Sequence, residues 1–122
     1  DSLGIVADQY GAPTPAAAIA DALVAIADAV RQPGFANWGV YHYSGSPYTS
    51  WHGFAERIFQ AAAAQGILPA VPELKAIATA DYPARRPANS RLDCGKIQNT
   101  FGIKPADWQA ALADLKPYQT SI

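Results

Sequence analysis

Proline and glycine punctuate this chain regularly, ten and nine of them in 122 residues, so it reads as short segments rather than long continuous elements. The segments also change character in turn. Leu3 to Ala7 alternates and carries β-branched residues, which predicts a short strand. Asp8 to Pro13 is turn chemistry. Thr14 then suits an N-cap and Pro15 a first helical position. Ile19, Leu23, Ile26 and Val30 recur at helical spacing, with Asp21, Asp28 and Arg31 off that stripe, and Pro33-Gly34 stops the helix. Trp38 to Tyr43, aromatic and β-branched, predicts a buried strand.

Ser44 to Pro47 reads as a loop. Thr49 or Ser50 caps a second helix whose apolar stripe is Trp51, Phe54, Ala55, Ile58, Phe59 and Ala62, with Gly66 at its C′ position. Leu74 to Thr79 is a weaker strand. Asp81 to Asn89, with three prolines and two arginines, is expected to be extended and irregular. Leu92 to Phe101 predicts a short helix ended by Gly102. Pro105 opens a last helix with Trp108, Ala111, Leu112 and Leu115 facing inward. Strands alternating with helices predict an α/β fold with few short strands and packed helices.

Half the residues are apolar and 16% are charged, which excludes disorder and supplies material for one core; residues 1–122 are expected to form a single domain. A net charge of −1 argues against bulk capture of nucleic acid or anionic membrane. No apolar run approaches the ~20 residues of a membrane span. The lone Cys94 excludes a disulfide framework and fits a reducing compartment, so a cytoplasmic location is expected. There is no methionine, and Asp1 stands where an initiator would, so the chain is expected to be a fragment of something larger. Three short strands make a poor sheet alone, which supports the same expectation.

Most enzyme signatures are absent. There is no G-x-G-x-x-G or P-loop pattern to cradle phosphates, and no G-x-S-x-G elbow. His42 and His52, with Cys94, lack metal-ligand spacing, and each histidine is expected to be buried or to cap a helix. Tyr82 has Arg86 rather than lysine four residues later, and arginine does not release its proton. Two stretches remain. Asp8-Gln9-Tyr10-Gly11-Ala12-Pro13-Thr14 is either a strand end, turn and cap complete in itself, or a turn presenting polar groups beside a helix N-terminus that favours an anion. Arg85-Arg86-Pro87-Ala88-Asn89-Ser90-Arg91 concentrates three of the nine basic residues. Guanidinium forks there suit phosphate, with Asn89 and Ser90 adding neutral hydrogen bonds. The alternative is that the arginines clamp carbonyls or pair with Asp8, Asp81 or Asp93 to hold the arm down.

DQYGAPT at 8–14, YHYSGSPYTSWHGFAERIF at 41–59, ATADYPARRPANSRLDCGKI at 78–97 and DWQAAL at 107–112 together resemble the C-terminal part of the dTDP-4-dehydrorhamnose reductase family. These are extended short-chain dehydrogenase/reductases of deoxysugar synthesis. The resemblance runs through essentially the whole chain, and the arginine-rich stretch is its most specific part. It implies a Rossmann-type protein of twice this length or more, whose N-terminal half binds NADPH and carries a catalytic Tyr and Lys. That protein reduces the C4 ketone of dTDP-4-dehydro-L-rhamnose to give dTDP-L-rhamnose. This chain would then supply the last strand of the sheet, around Val40, and most of the sugar-nucleotide lobe. Its expected partners are the dTDP-sugar and the N-terminal half, with self-association a further expectation. Asp8, Gln9, Tyr10, Gly11, Pro13, Arg85, Arg86, Asn89, Ser90 and Arg91 would face the substrate, and no catalytic residue or NADPH site would lie here.

Some members bridge subunits through Mg²⁺ held by glutamates in the first helix and near the C-terminus. Here Pro15 to Arg31 and the residues after Asp107 contain no glutamate, and Asp21, Asp28 and Asp114 are the only stand-ins, so Mg²⁺ is not expected. A similar arginine-proline arm occurs in a regulatory subunit of methionine adenosyltransferase, which makes a non-catalytic binding subunit the alternative. An epimerase of the extended class is a third, weaker one.

Overall fold

A computed structural model describes residues 2–119. Strand β1 (Ser2–Val6) pairs in parallel with β5 (Glu73–Ile77), Ser2 opposite Glu73 and Val6 opposite Ile77. A parallel pair needs a long crossover, and here it carries most of the molecule. Within it lie β2 (Tyr10–Gly11), α1 (Ala16–Val30), β3 (Gly45–Ser46), β4 (Thr49–Ser50) and α2 (Trp51–Ala64). After β5 come a single 3-10 turn at Thr79–Asp81, the irregular arm, α3 (Gly95–Phe101), β6 (Ala106–Asp107) and α4 (Trp108–Ala111). β2 pairs antiparallel with β4, and β3 pairs in parallel with β6. The architecture is α/β, with three two-stranded ladders and packed helices.

The second helix follows its sequence closely. Ser50 accepts the Gly53 N–H at 3.0 Å, as a capping serine should, and Gly66 lies just past the C-cap with φ +70°, a conformation open to glycine. α2 rests against β1 and β5. Its Phe54 meets Trp108 edge to face at 5.3 Å, and the Trp108 indole donates to the Pro47 carbonyl at 2.7 Å. Among the described residues, Val6, Ala22, Ala62, Cys94, Ile97 and Trp108 are the buried apolar ones.

Four expectations are corrected. Residues 38–43 form no strand, and Trp38 and Val40 are 71% and 74% exposed. A strand is made by ladder bonds to a neighbour, and among the described residues this segment has none: Lys96 donates its side chain to the Val40 carbonyl, and the Tyr41 hydroxyl donates to the nearby Asn37 carbonyl. Thr14 does not cap α1, because its Oγ1 is turned away to bond the Ala12 carbonyl and the Gly45 N–H; Pro15 precedes the helix as an uncapped N-cap. α1 is also rotated from the expected stripe. Ala22 is its buried residue while Ile19 and Leu23 are exposed, since small side chains allow the close approach to α3. The last helix begins at Trp108 rather than Pro105, because the Asp107 carboxylate captures the N–H groups of Gln109 and Ala110 and so sets the cap.

Candidate functional site

A cleft of about 690 Å³ opens between β1, the turn after it, the start of α2 and the arm. Backbone bonds assemble it. Tyr10 N–H donates to the Ala88 carbonyl at 2.8 Å and Ser90 N–H to the Tyr10 carbonyl at 2.7 Å, so the arm is strapped alongside β2 as a short parallel bridge at Asn89. The β2–β4 ladder then sets Ser50 opposite Tyr10. Turn, arm and helix start are therefore fixed to one another by main-chain geometry, which side-chain motion does not loosen. Gly45 supports the same corner from below: a Cβ there would run into the Pro13 carbonyl.

Of the expected site residues, the structure brings Gln9, Tyr10, Gly11, Pro13, Arg86 and Ser90 to the cleft. Arg86 lines it, and its Nη1 donates locally to the Arg85 carbonyl at 3.1 Å. Asp8, Arg85, Asn89 and Arg91 do not line it. The Asp8 carboxylate accepts from the Thr79 hydroxyl (2.7 Å) and the Thr79 N–H (2.9 and 3.1 Å). Those bonds hold its pKa below the ordinary carboxylate value. Asn89 Oδ1 accepts both the N–H and the Nε–H of Arg91, and the Arg91 guanidinium lies 5.8 Å from the Tyr10 ring and 5.7 Å from that of Tyr48. These two hold the arm in shape. The arm's arginines make no ion pair among the described residues; Asp8 is held by Thr79, and the Asp93 carboxylate accepts the Gly95 N–H. Arg85 is exposed.

Thr49, Ser50, Trp51, Phe54 and Tyr82 also line the cleft, and sequence reasoning did not pick them out. The helix start at the cleft is that of α2, not α1, because β4 delivers it there. Ser50, Trp51 and Arg86 thus combine a hydroxyl, a half-exposed aromatic face and a fixed positive charge beside a helix dipole. Such a wall can hold an anionic, ring-bearing ligand.

The remaining candidates lie elsewhere. His42 is exposed, contrary to the buried or capping role expected for it. His52, half-buried in the first turn of α2, sits 3.7 Å from Glu56 and 3.5 Å from the Leu74 carbonyl. Cys94 is buried beside Ser44, their side-chain heteroatoms 3.5 Å apart. Burial pushes the Tyr43 hydroxyl above its ordinary value, but Tyr43 does not border the cleft. Among the described residues no three His, Cys, Asp or Glu side chains gather as metal ligands.

Comparison with known proteins gives a consistent result. The family described as RmlD substrate binding domain matches residues 1–119. A dTDP-4-dehydrorhamnose reductase of Aggregatibacter actinomycetemcomitans is 50% identical over 120 residues, covering 97% of this chain and 41% of that protein. One of Escherichia coli K12 is 40% identical over 115 residues, covering 92% and 38%. The chain therefore spans about two-fifths of the length of the relatives it matches. Among solved structures, a dTDP-4-dehydrorhamnose reductase of Clostridium acetobutylicum superposes with a TM-score of 0.76 at 28% identity, over 93% of this chain and 37% of that one. The Bacillus anthracis reductase, solved in complex with NADP, shares the fold with a TM-score of 0.74 at 24% identity, over 92% and 36%.

Proposed function

The chain belongs to the RmlD substrate binding domain family, and on that premise we propose that residues 1–122 form one substrate-side unit of a dTDP-4-dehydrorhamnose reductase. The whole protein would reduce dTDP-4-dehydro-L-rhamnose to dTDP-L-rhamnose. The observation that carries this reading is the strapping of the Arg86–Ser90 arm to the Tyr10 turn across from the start of α2. It brings a cation, hydroxyls and an aromatic face around one opening. Arg86 suits the diphosphate by bidentate, charge-assisted bonds. The Ser50 hydroxyl, whose oxygen is held by the Gly53 N–H, keeps its proton to donate to a second acceptor. Trp51 and Tyr82 offer flat apolar surface to a base or sugar ring.

NADPH does not fit on these residues. A dinucleotide loop needs several glycines opening a helix, whereas the passage from β1 to α1 holds Gly11 alone, commits the Tyr10 N–H to Ala88 and enters the helix through Pro15. The cofactor, which supplies the hydride, and the proton donor are therefore assigned to the rest of the protein. What this chain does is bind, orient and shield the sugar nucleotide. The same division makes Mg²⁺ no part of the proposed site.

Calorimetric titration of the intact protein with dTDP-L-rhamnose tests the reading. Binding that Arg86→Ala weakens supports it, and an intact protein that ignores the nucleotide sugar overturns it. The isolated chain should leave the 340 nm absorbance of NADPH unchanged in the presence of substrate.

A further inference from the structure

Gln9 is 5% exposed, yet it borders the cleft. Its Nε2 lies 3.1 Å from Thr79 Oγ1. Which end of the amide faces Thr79 follows from proton counting. The Thr79 hydroxyl has one proton, and it lies 2.7 Å from an Asp8 carboxylate oxygen, a group that only accepts. Thr79 Oγ1 is left with lone pairs, so the Gln9 group against it must be the NH₂. The reversed amide would set two acceptors against each other. No donor reaches Gln9 Oε1 among the described residues, and no fully buried side-chain oxygen or nitrogen there lacks a partner. Oε1 therefore keeps some exposure and a free acceptor site, on a residue that borders the cleft.

We infer that Gln9 is a specificity-determining residue whose Oε1 accepts from an N–H or O–H donor of the ligand, and that Asp8 and Thr79 are positioning residues that hold the amide in this sense. The inference rests on the sugar-nucleotide reading of the cleft. Asp8 acts from outside the cleft, one hydroxyl removed from the contact it controls. A ligand lacking the donor would leave a desolvated carbonyl unpaired, and sites built that way discriminate strongly. The donor is either the ring imide of the base or a hydroxyl of the sugars.

The test is calorimetric binding of dTDP-L-rhamnose, dTDP and N3-methyl-dTDP to the intact protein. Thr79→Val and Gln9→Leu should each weaken dTDP-L-rhamnose about tenfold. The double variant should lose no more than either single one, and Thr79→Ser should restore affinity to within about twofold. If Thr79→Val does not fold, Asp8→Ala makes the same measurement, its loss again vanishing when Gln9 is leucine. A loss shared by dTDP places the donor on the base where N3-methylation mimics it and on the deoxyribose where it does not. A loss seen only with dTDP-L-rhamnose places it on the hexose, and each of these supports the proposal. Independent, additive losses, or unchanged affinity in Gln9→Leu, overturn it while leaving the cleft's reading intact. A wild-type protein that binds none of these ligands overturns both.

Discussion

Arg86 and Arg91 stand five residues apart in one arginine-rich arm, and the structure separates their tasks. Arg91 is spent on Asn89 and two tyrosine rings, whereas Arg86 opens on the cleft. Arg86→Ala should therefore raise the Kd for dTDP-L-rhamnose about tenfold or more, the range of a charge-assisted bond, with thermal stability nearly unchanged. Arg91→Ala should instead lower the melting temperature and weaken binding less, through a loosened arm. That division was not legible from the sequence, in which the arginines look alike; it depends on Tyr10 and Tyr48 arriving from distant positions. Asp8 carries a pH signature. Its folded pKa is depressed by Thr79, so its contribution to stability is present above the unfolded value and is lost as pH falls through the folded one. Chemical denaturation between pH 6 and pH 2, in the region around and below about pH 4, should show wild type losing more stability than Asp8→Asn.

The elements divide into those written locally and those written by their neighbours. α2 carries its own instructions, a capping serine, an apolar stripe and a terminal glycine, and its cap and terminator fall where the residues predict. Ser50→Ala should cost about 1 kcal/mol in urea denaturation, the usual value of a lost N-cap. It should also disturb binding, because the same residue borders the cleft. β1 was likewise readable from its alternation. β3 and β6 were not, being two-residue ladders created by a parallel encounter of Gly45 with Ala106. Gly45 is where this encounter is most demanding. Gly45→Ala drives a methyl into the Pro13 carbonyl and should destabilise by about 1–3 kcal/mol, the range for overpacking a site that cannot yield. Thr14 shows the opposite limit: a good cap by composition, it serves Gly45 instead, a choice no local rule could foresee.

For the whole molecule, an apolar half of the sequence does not make a correspondingly large core. Among the described residues six apolar ones are buried, while Leu23, Val24, Trp38 and Val40 stand more than half exposed. The periodicity of α1 and the aromatic run at 38–43 were legible as apolar faces, but what they would face was not. The β1–β5 pair adds two strand edges that are unpaired among the described residues, and a two-stranded sheet is marginal by itself. Since the chain spans about two-fifths of its relatives' length, these surfaces are expected to pack against the remainder in the intact protein. Deprived of that cover, apolar patches and open edges drive association. The isolated 122-residue chain should accordingly sediment as dimers or larger species at micromolar concentration. Trp38→Glu together with Leu23→Lys should shift it towards monomer, because charge on those faces opposes their burial. A wild-type chain that remains a stable monomer in that range would mean the exposed faces are sparse enough for water to tolerate, and the expected packing against the rest of the protein would lose its physical basis.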